Sequence, residues 1–123
     1  MDDDERRQSG MQTRREVLGD EHVDRANAAT TELTADFQDF ITRTAWGDVW
    51  QRPGLDRRTR SCLTVALLAA LGHQEELALH IKAALRVGVT PAEITEVLLH
   101  TAVYAGVPAA NTAFRVAQSA LAD

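Results

Sequence analysis

The amino-acid sequence predicts an all-α fold. Apolar residues recur at three- and four-residue spacing, as in Leu33, Phe37, Phe40 and Ile41, which is the period of one helix face. Start and stop signals punctuate the chain at helix-length intervals, with Asp56 and Thr90 as starts and Gly72, Gly88 and Gly106 as stops. The β-branched residues Val97, Thr101 and Val103 would suit a strand, but they follow directly on Thr90-Pro91-Ala92-Glu93. That tetrad joins a capping hydroxyl, a proline at the first helical position and a glutamate able to reach back to the cap, so the segment reads as helix.

Taken in order, residues 1–10 are charged or small and polar and are expected to form a flexible acidic arm, leaving 11–123 as the folded domain. A first helix begins ahead of Met11 and runs through Val17 and Leu18 to a stop near Gly19; a weaker helical signal covers His22 to Thr31. Thr34 is placed to cap the Leu33–Ile41 helix, with Asp36 near its positive end. Trp46 and Trp50 form a short aromatic element before the Arg52-Pro53-Gly54 turn. Asp56 then caps a helix to Leu71 that is apolar nearly all round from Ser61 onward, so it is expected to be central or covered by another subunit. His73 to Val87 forms the next helix, Thr90 starts the one leading to Tyr104, and Pro108 opens a last helix from Ala109 to about Leu121.

A chain of 123 residues holds one modest core. Its 13 basic and 18 acidic residues give a net charge of −5, which argues against nucleic acid as a partner because phosphate binding needs concentrated positive charge. The apolar run from Cys62 to Leu71 is too short to span a membrane, and the acidic start is unlike a signal peptide, so a cytoplasmic location is expected. Cys62 is the only cysteine; it excludes an internal disulfide and reads as a small core side chain. Histidines at dispersed positions, without a His-Glu-x-x-His pattern, give no metal site.

Three groups of residues could carry chemistry. Glu76 and His80 are four apart on one helix face, where a carboxylate fixes an imidazole tautomer and raises its proton affinity; the bland alternative is an ordinary surface pair. His100 interrupts an apolar run, with Tyr104 four residues on; it is either a proton-transfer or polarising group or a core histidine bonded to a backbone carbonyl. Arg57, Arg58 and Arg60 form the one concentrated basic patch, suited to a carboxylate, although some of these arginines are expected in structural ion pairs.

Several dispersed blocks in order then resemble the gamma-carboxymuconolactone decarboxylases: Arg14-Arg15-Glu16-Val17-Leu18-Gly19, Thr34 to Ile41, Trp46-Gly47-Asp48-Val49-Trp50, Arg52 to Ser61, Glu75 to His80, Leu98 to Tyr104, and Gly106 to Asn111. The resemblance implies an alkylhydroperoxidase-like helical domain. Redox members of that superfamily carry a Cys-x-x-Cys pair ahead of a histidine; the matching positions here are His73, Glu76 and His80, and an upstream glutamate matches Ser61. Without either thiol, dithiol exchange has no basis. The resemblance implies instead a cofactor-free carboxy-lyase that takes 4-carboxymuconolactone, a small anionic lactone, to 3-oxoadipate enol-lactone and carbon dioxide in protocatechuate degradation. For that reaction, which needs a proton donor, a group to polarise the lactone oxygen and a seat for the acetate arm, the expected catalytic residues are His80, Glu76 and His100 and the expected substrate-binding ones Arg57, Arg58, Arg60 and Tyr104; the resemblance also implies a homo-oligomer, with a hexamer favoured. The competing expectations are a decarboxylase or isomerase of a related acidic lactone and a noncatalytic helical interaction protein.

Overall fold

The computed structural model describes residues 1–122, and every regular element among them is helical. The chain divides into two compact units, Met1–Leu55 and the remainder from Asp56.

In the first unit, α1 spans Asp3–Leu18. The first ten residues, expected to be an arm, are therefore helical almost from the start. The Asp2 carboxylate accepts a hydrogen bond from the Glu5 amide at 2.8 Å, and Asp3, Asp4 and Glu5 occupy the first turn. The acidic run that suggested a tail is the charge that favours a helix N-terminus. After α2 (Asp20–Ala29) and α3 (Ala35–Ile41), the helix relaxes into a π-helical turn, Thr42–Trp46, and then a short 3₁₀ turn, Val49–Gln51. The Thr34 hydroxyl accepts from the Thr31 amide rather than capping α3. Trp46 is buried and stacks on Trp50, with ring centroids 5.0 Å apart. Leu33, Phe37 and Phe40, the stripe that announced α3, are exposed.

Gly10 and Gly47 let α1 and the π-helical turn touch backbone to backbone. A Cβ on Gly10 would lie 2.2 Å from the Thr42 carbonyl oxygen and 2.8 Å from the Gly47 nitrogen; one on Gly47 would lie 2.4 Å from the Arg6 oxygen. Arg7 of α1 pairs with Asp39 of α3, and Arg43 pairs with the same carboxylate from one turn further along the chain.

In the second unit, α4 (Arg57–Leu71) and α5 (Gln74–Arg86) form a hairpin closed by Gly72, whose φ of 77° is the left-handed conformation a helix stop requires. Asp56 caps α4, accepting from the Thr59 amide at 2.8 Å. The capping box of α6 (Pro91–Ala105) is complete: Glu93 N to Thr90 Oγ1 is 3.1 Å, and Thr90 N to Glu93 Oε1 is 2.9 Å. The last helix, α7, spans Val107–Ala122, so Pro108 sits in its first turn. Val65 and Ala69 of α4, Leu77, Ile81 and Ala84 of α5, Ile94 and Leu98 of α6, and Ala113 and Ala117 of α7 form one core, with Cys62 packed against it. The alanines on α7 let its neighbours approach closely.

Replacing Gly10 with alanine tests the backbone approach in the first unit. Helix propensity alone would favour alanine by about 1 kcal/mol. The clash is with a main-chain oxygen that no rotamer change can relieve, so a net loss of roughly 2 kcal/mol or more is expected in denaturant unfolding.

Candidate active site

The chemistry-bearing residues nominated from the sequence all lie in the second unit, but on different surfaces. At the start of α4, Arg58 is committed to structure. Its Nε donates to the Gly88 carbonyl at 3.2 Å, and its terminal nitrogen pairs with Glu93. One guanidinium thus ties the first turn of α4 to the end of α5 and the first turn of α6, and this geometry leaves Arg58 poorly placed as a substrate ligand. Glu93 cannot be foreseen as its partner from the sequence, because the two are 35 positions apart. The Arg58 guanidinium, with a smaller contribution from the Thr90 amide, holds the Glu93 carboxyl below its ordinary value of 4.5. Arg57 and Arg60 are half-buried on neighbouring positions of the same helix.

His80 is half-buried on α5, with its Nδ1 atom inside the protein. It shares a helix face with Leu77, Ile81 and Ala84, all buried, and so flanks the buried side of α5. Glu76, one turn earlier, is exposed. A water-facing carboxylate exerts a weaker hold on an imidazole than a buried one.

His100 is not the core histidine that its apolar neighbours allowed. It is exposed, and the adjacent Thr101 is the buried residue, its hydroxyl donating to the Val97 carbonyl at 2.9 Å. The His100 ring lies 4.9 Å from that of Tyr104, tilted by 35°. Both line a mostly apolar groove of about 410 Å³ between α4 and α6, together with Ala66, Leu67 and Ala70. Neither His80 nor any of the three arginines lines it. The structure therefore brings His100 and Tyr104 together, and leaves His80 apart from them on α5, half-buried beside the core.

Cys62 is half-buried, and burial pushes its thiol above the ordinary value, the opposite of an activated thiolate. No group of three or more His, Cys, Asp or Glu side chains among the described residues is arranged to hold a metal ion. Sequence reading passed over an open groove between α5 and α7, lined by Glu75, Lys82 and Arg115, because Arg115 stands alone in its helix.

The all-helical architecture, with a single cysteine and so no dithiol, fits an alkylhydroperoxidase-like helical enzyme of the non-thiol kind. Residues 35–119 match the profile of the carboxymuconolactone decarboxylase family, and the chain belongs to that family. It is 46% identical over 123 residues to a 4-carboxymuconolactone decarboxylase of Acinetobacter baylyi, covering all of this chain and 92% of that one. It is also 46% identical over 114 residues to the nitrosuccinic acid decarboxylase npaB of Metarhizium robertsii, covering 93% and 80% of the two chains. A 4-carboxymuconolactone decarboxylase sequence of Pseudomonas putida is 50% identical over 48 residues, which is 39% of this chain and the whole of that sequence. No helix among the described residues is long and apolar enough to cross a membrane.

The Arg58–Glu93 tie makes stability depend on acid. Because the folded Glu93 carboxyl titrates below 4.5, its contribution is complete above that pH and is lost as pH falls through the folded value. Glu93→Gln should therefore lower Tm only slightly at neutral pH, by about a degree, and the gap to wild type should close on acidification. A gap that stays constant into the acid range contradicts the assignment.

Proposed function

We infer that this chain is a 4-carboxymuconolactone decarboxylase, releasing carbon dioxide and 3-oxoadipate enol-lactone. The observation that carries this reading is the likeness to the Acinetobacter baylyi enzyme over the whole chain. The substrate carries its own electron sink. The bond between the quaternary ring carbon and its carboxylate breaks; the electron pair moves through the ring double bond to the lactone carbonyl, and a proton then joins the ring carbon beside that carbonyl. The protein must hold the acetate arm, stabilise the developing enolate and supply the proton.

His80 supplies that proton from α5, where it is half-buried beside the core. Arg57 or Arg60, half-buried on the first turns of α4, seats the acetate. Glu76 acts on His80 from solvent, and His100 with Tyr104 acts from the groove between α4 and α6.

The working form is a homo-oligomer, with a hexamer as the proposed state and a cytoplasmic location as part of the same proposal. Leu63, Leu67 and Leu71 form an exposed stripe on α4, Leu67 at 60%, and Leu99, Val103 and Val107 are exposed on or beside α6, Val103 at 75%. Phe37 and Phe40 add exposed aromatic surface in the first unit. Contiguous apolar surface of this kind favours burial against another subunit.

A second reading, decarboxylation of a related acid, is favoured by the equal identity to the nitrosuccinic acid decarboxylase. Nitrosuccinate shares the essential chemistry: the carbon that loses carbon dioxide carries a nitro group able to accept the electron pair.

Turnover of 4-carboxymuconolactone by purified protein, followed as loss of the conjugated-lactone absorbance, tests the assignment; no turnover of it, with turnover of nitrosuccinate, selects the second reading. His80→Gln should lower kcat by about 10²- to 10⁴-fold with little change in KM; an unchanged kcat removes His80 from proton delivery. Leu67→Glu should shift the sedimentation profile to smaller species, and an unaltered profile moves the interface elsewhere.

A further inference from the structure

Four hydroxyl side chains among the described residues are buried: Thr13, Thr42, Ser61 and Thr101. Three of them are satisfied. Thr13 accepts from Gln51 at 3.2 Å, Thr42 donates to the Gln38 carbonyl at 2.8 Å, and Thr101 donates to the Val97 carbonyl at 2.9 Å. Ser61 is the exception: its residue exposure is 0% and its Oγ has no hydrogen-bond partner. Nor does it take the usual mid-helix escape of donating to the carbonyl four residues back, as Thr64 does on the same helix at 2.8 Å. A buried hydroxyl without a partner is costly, and alanine would fill the same space without that cost. Such an atom calls for a function outside packing.

Its position says what that function is. Ser61, Val65 and Ala69 are the buried stripe of α4, and Val65 and Ala69 pack in the core with Leu77 and Ile81 of α5. The contact from Arg58 to Gly88 sets the register of the hairpin. Counting from it, Ser61 stands opposite residues near 85, and His80 lies roughly 7 Å of helix rise closer to the Gly72 turn. Arg57 is one turn before Ser61 on the same face of α4. Along the hairpin the order is thus Arg57, Ser61 and the level of His80, and the interval of about 7 Å from Ser61 to the level of His80 is comparable to the reach from the acetate of the substrate lactone to its ring.

We propose that the Ser61 hydroxyl donates a hydrogen bond to the acetate carboxylate of the bound substrate, completing with Arg57 an anion seat that fixes the ring against His80. This rests on the decarboxylase reading above and adds to it a substrate-binding residue with a defined target. In the bound state the orphaned donor meets a charged acceptor, one of the stronger kinds of hydrogen bond.

The test compares wild type and Ser61→Ala by calorimetric binding of two unreactive ligands. Homocitrate γ-lactone is the saturated analogue of the substrate, with both its carboxylates; 2-hydroxyglutarate γ-lactone lacks the acetate arm. Ser61→Ala should weaken the first about ten-fold, leave the second unchanged and leave Tm unchanged or raised. In turnover it should raise KM for 4-carboxymuconolactone by a similar factor while kcat changes less. Equal affinity of both proteins for homocitrate γ-lactone, or equal weakening of the two ligands, overturns the proposal. A wild type that binds homocitrate γ-lactone in a Ser61-dependent way but does not turn over 4-carboxymuconolactone supports the anion seat and overturns the decarboxylase reading alone.

Discussion

The second unit depends on the burial of one face of α4. Val65 and Ala69 are almost wholly withdrawn from solvent, and α4 packs on α5, α6 and α7. Small residues on the partner helices, Ala84, Ala113 and Ala117, make that close packing possible. Because burial is proportional to the apolar area removed from water, this stripe supplies much of the drive that holds the four helices together. The Arg58 contacts at its N-terminal end add little energy, being exposed, but they fix which turn of α4 faces which turn of α5. Ser61, on the buried stripe of α4, is consequently held in place by apolar neighbours.

Much of the fold was legible because its signals are local. Asp56, Thr90-Pro91-Ala92-Glu93, Gly72 and Gly88 each act on backbone groups within a few residues, and all four signals are realised as read. What escaped depends on distant partners. The acidic opening looked like a tail because its ordering rests on contacts such as Arg7 to Asp39 and on the approach of Gly10 to Thr42, none of them visible in a window of ten residues. The π-helical turn at Thr42–Trp46 has no simple sequence signature. The all-round apolar character of α4 was read as a sign that it is central or covered by another subunit, and one face of it is buried in the core. In the single chain the Leu63, Leu67 and Leu71 side stays open.

The site shows the same division. Spacing nominated His80, and helix geometry puts it beside the buried side of α5. Spacing also nominated His100, but a periodic apolar run does not say which face of α6 is inward. Thr101 took the inward place, satisfied by its own helix, and His100 went outward to the groove with Tyr104. Within the arginine cluster, Arg58 is tied into the structure for a reason that lies on α6, its pairing with Glu93. Ser61 stood out in sequence only as a departure from an acidic residue in redox relatives; its missing hydrogen bond needed coordinates. Loss of the dithiol and retention of the histidine are coherent chemistry, since a substrate that accepts its own electron pair leaves proton delivery and charge placement to the protein.

The most direct test of the account is to run the reaction of 4-carboxymuconolactone in deuterium oxide and locate the label in the first product formed. Proton delivery from a fixed imidazole predicts carbon dioxide release with one deuterium on a single face of the ring carbon beside the lactone carbonyl. Failure to release carbon dioxide from this lactone, or label distributed equally over both faces, would contradict it.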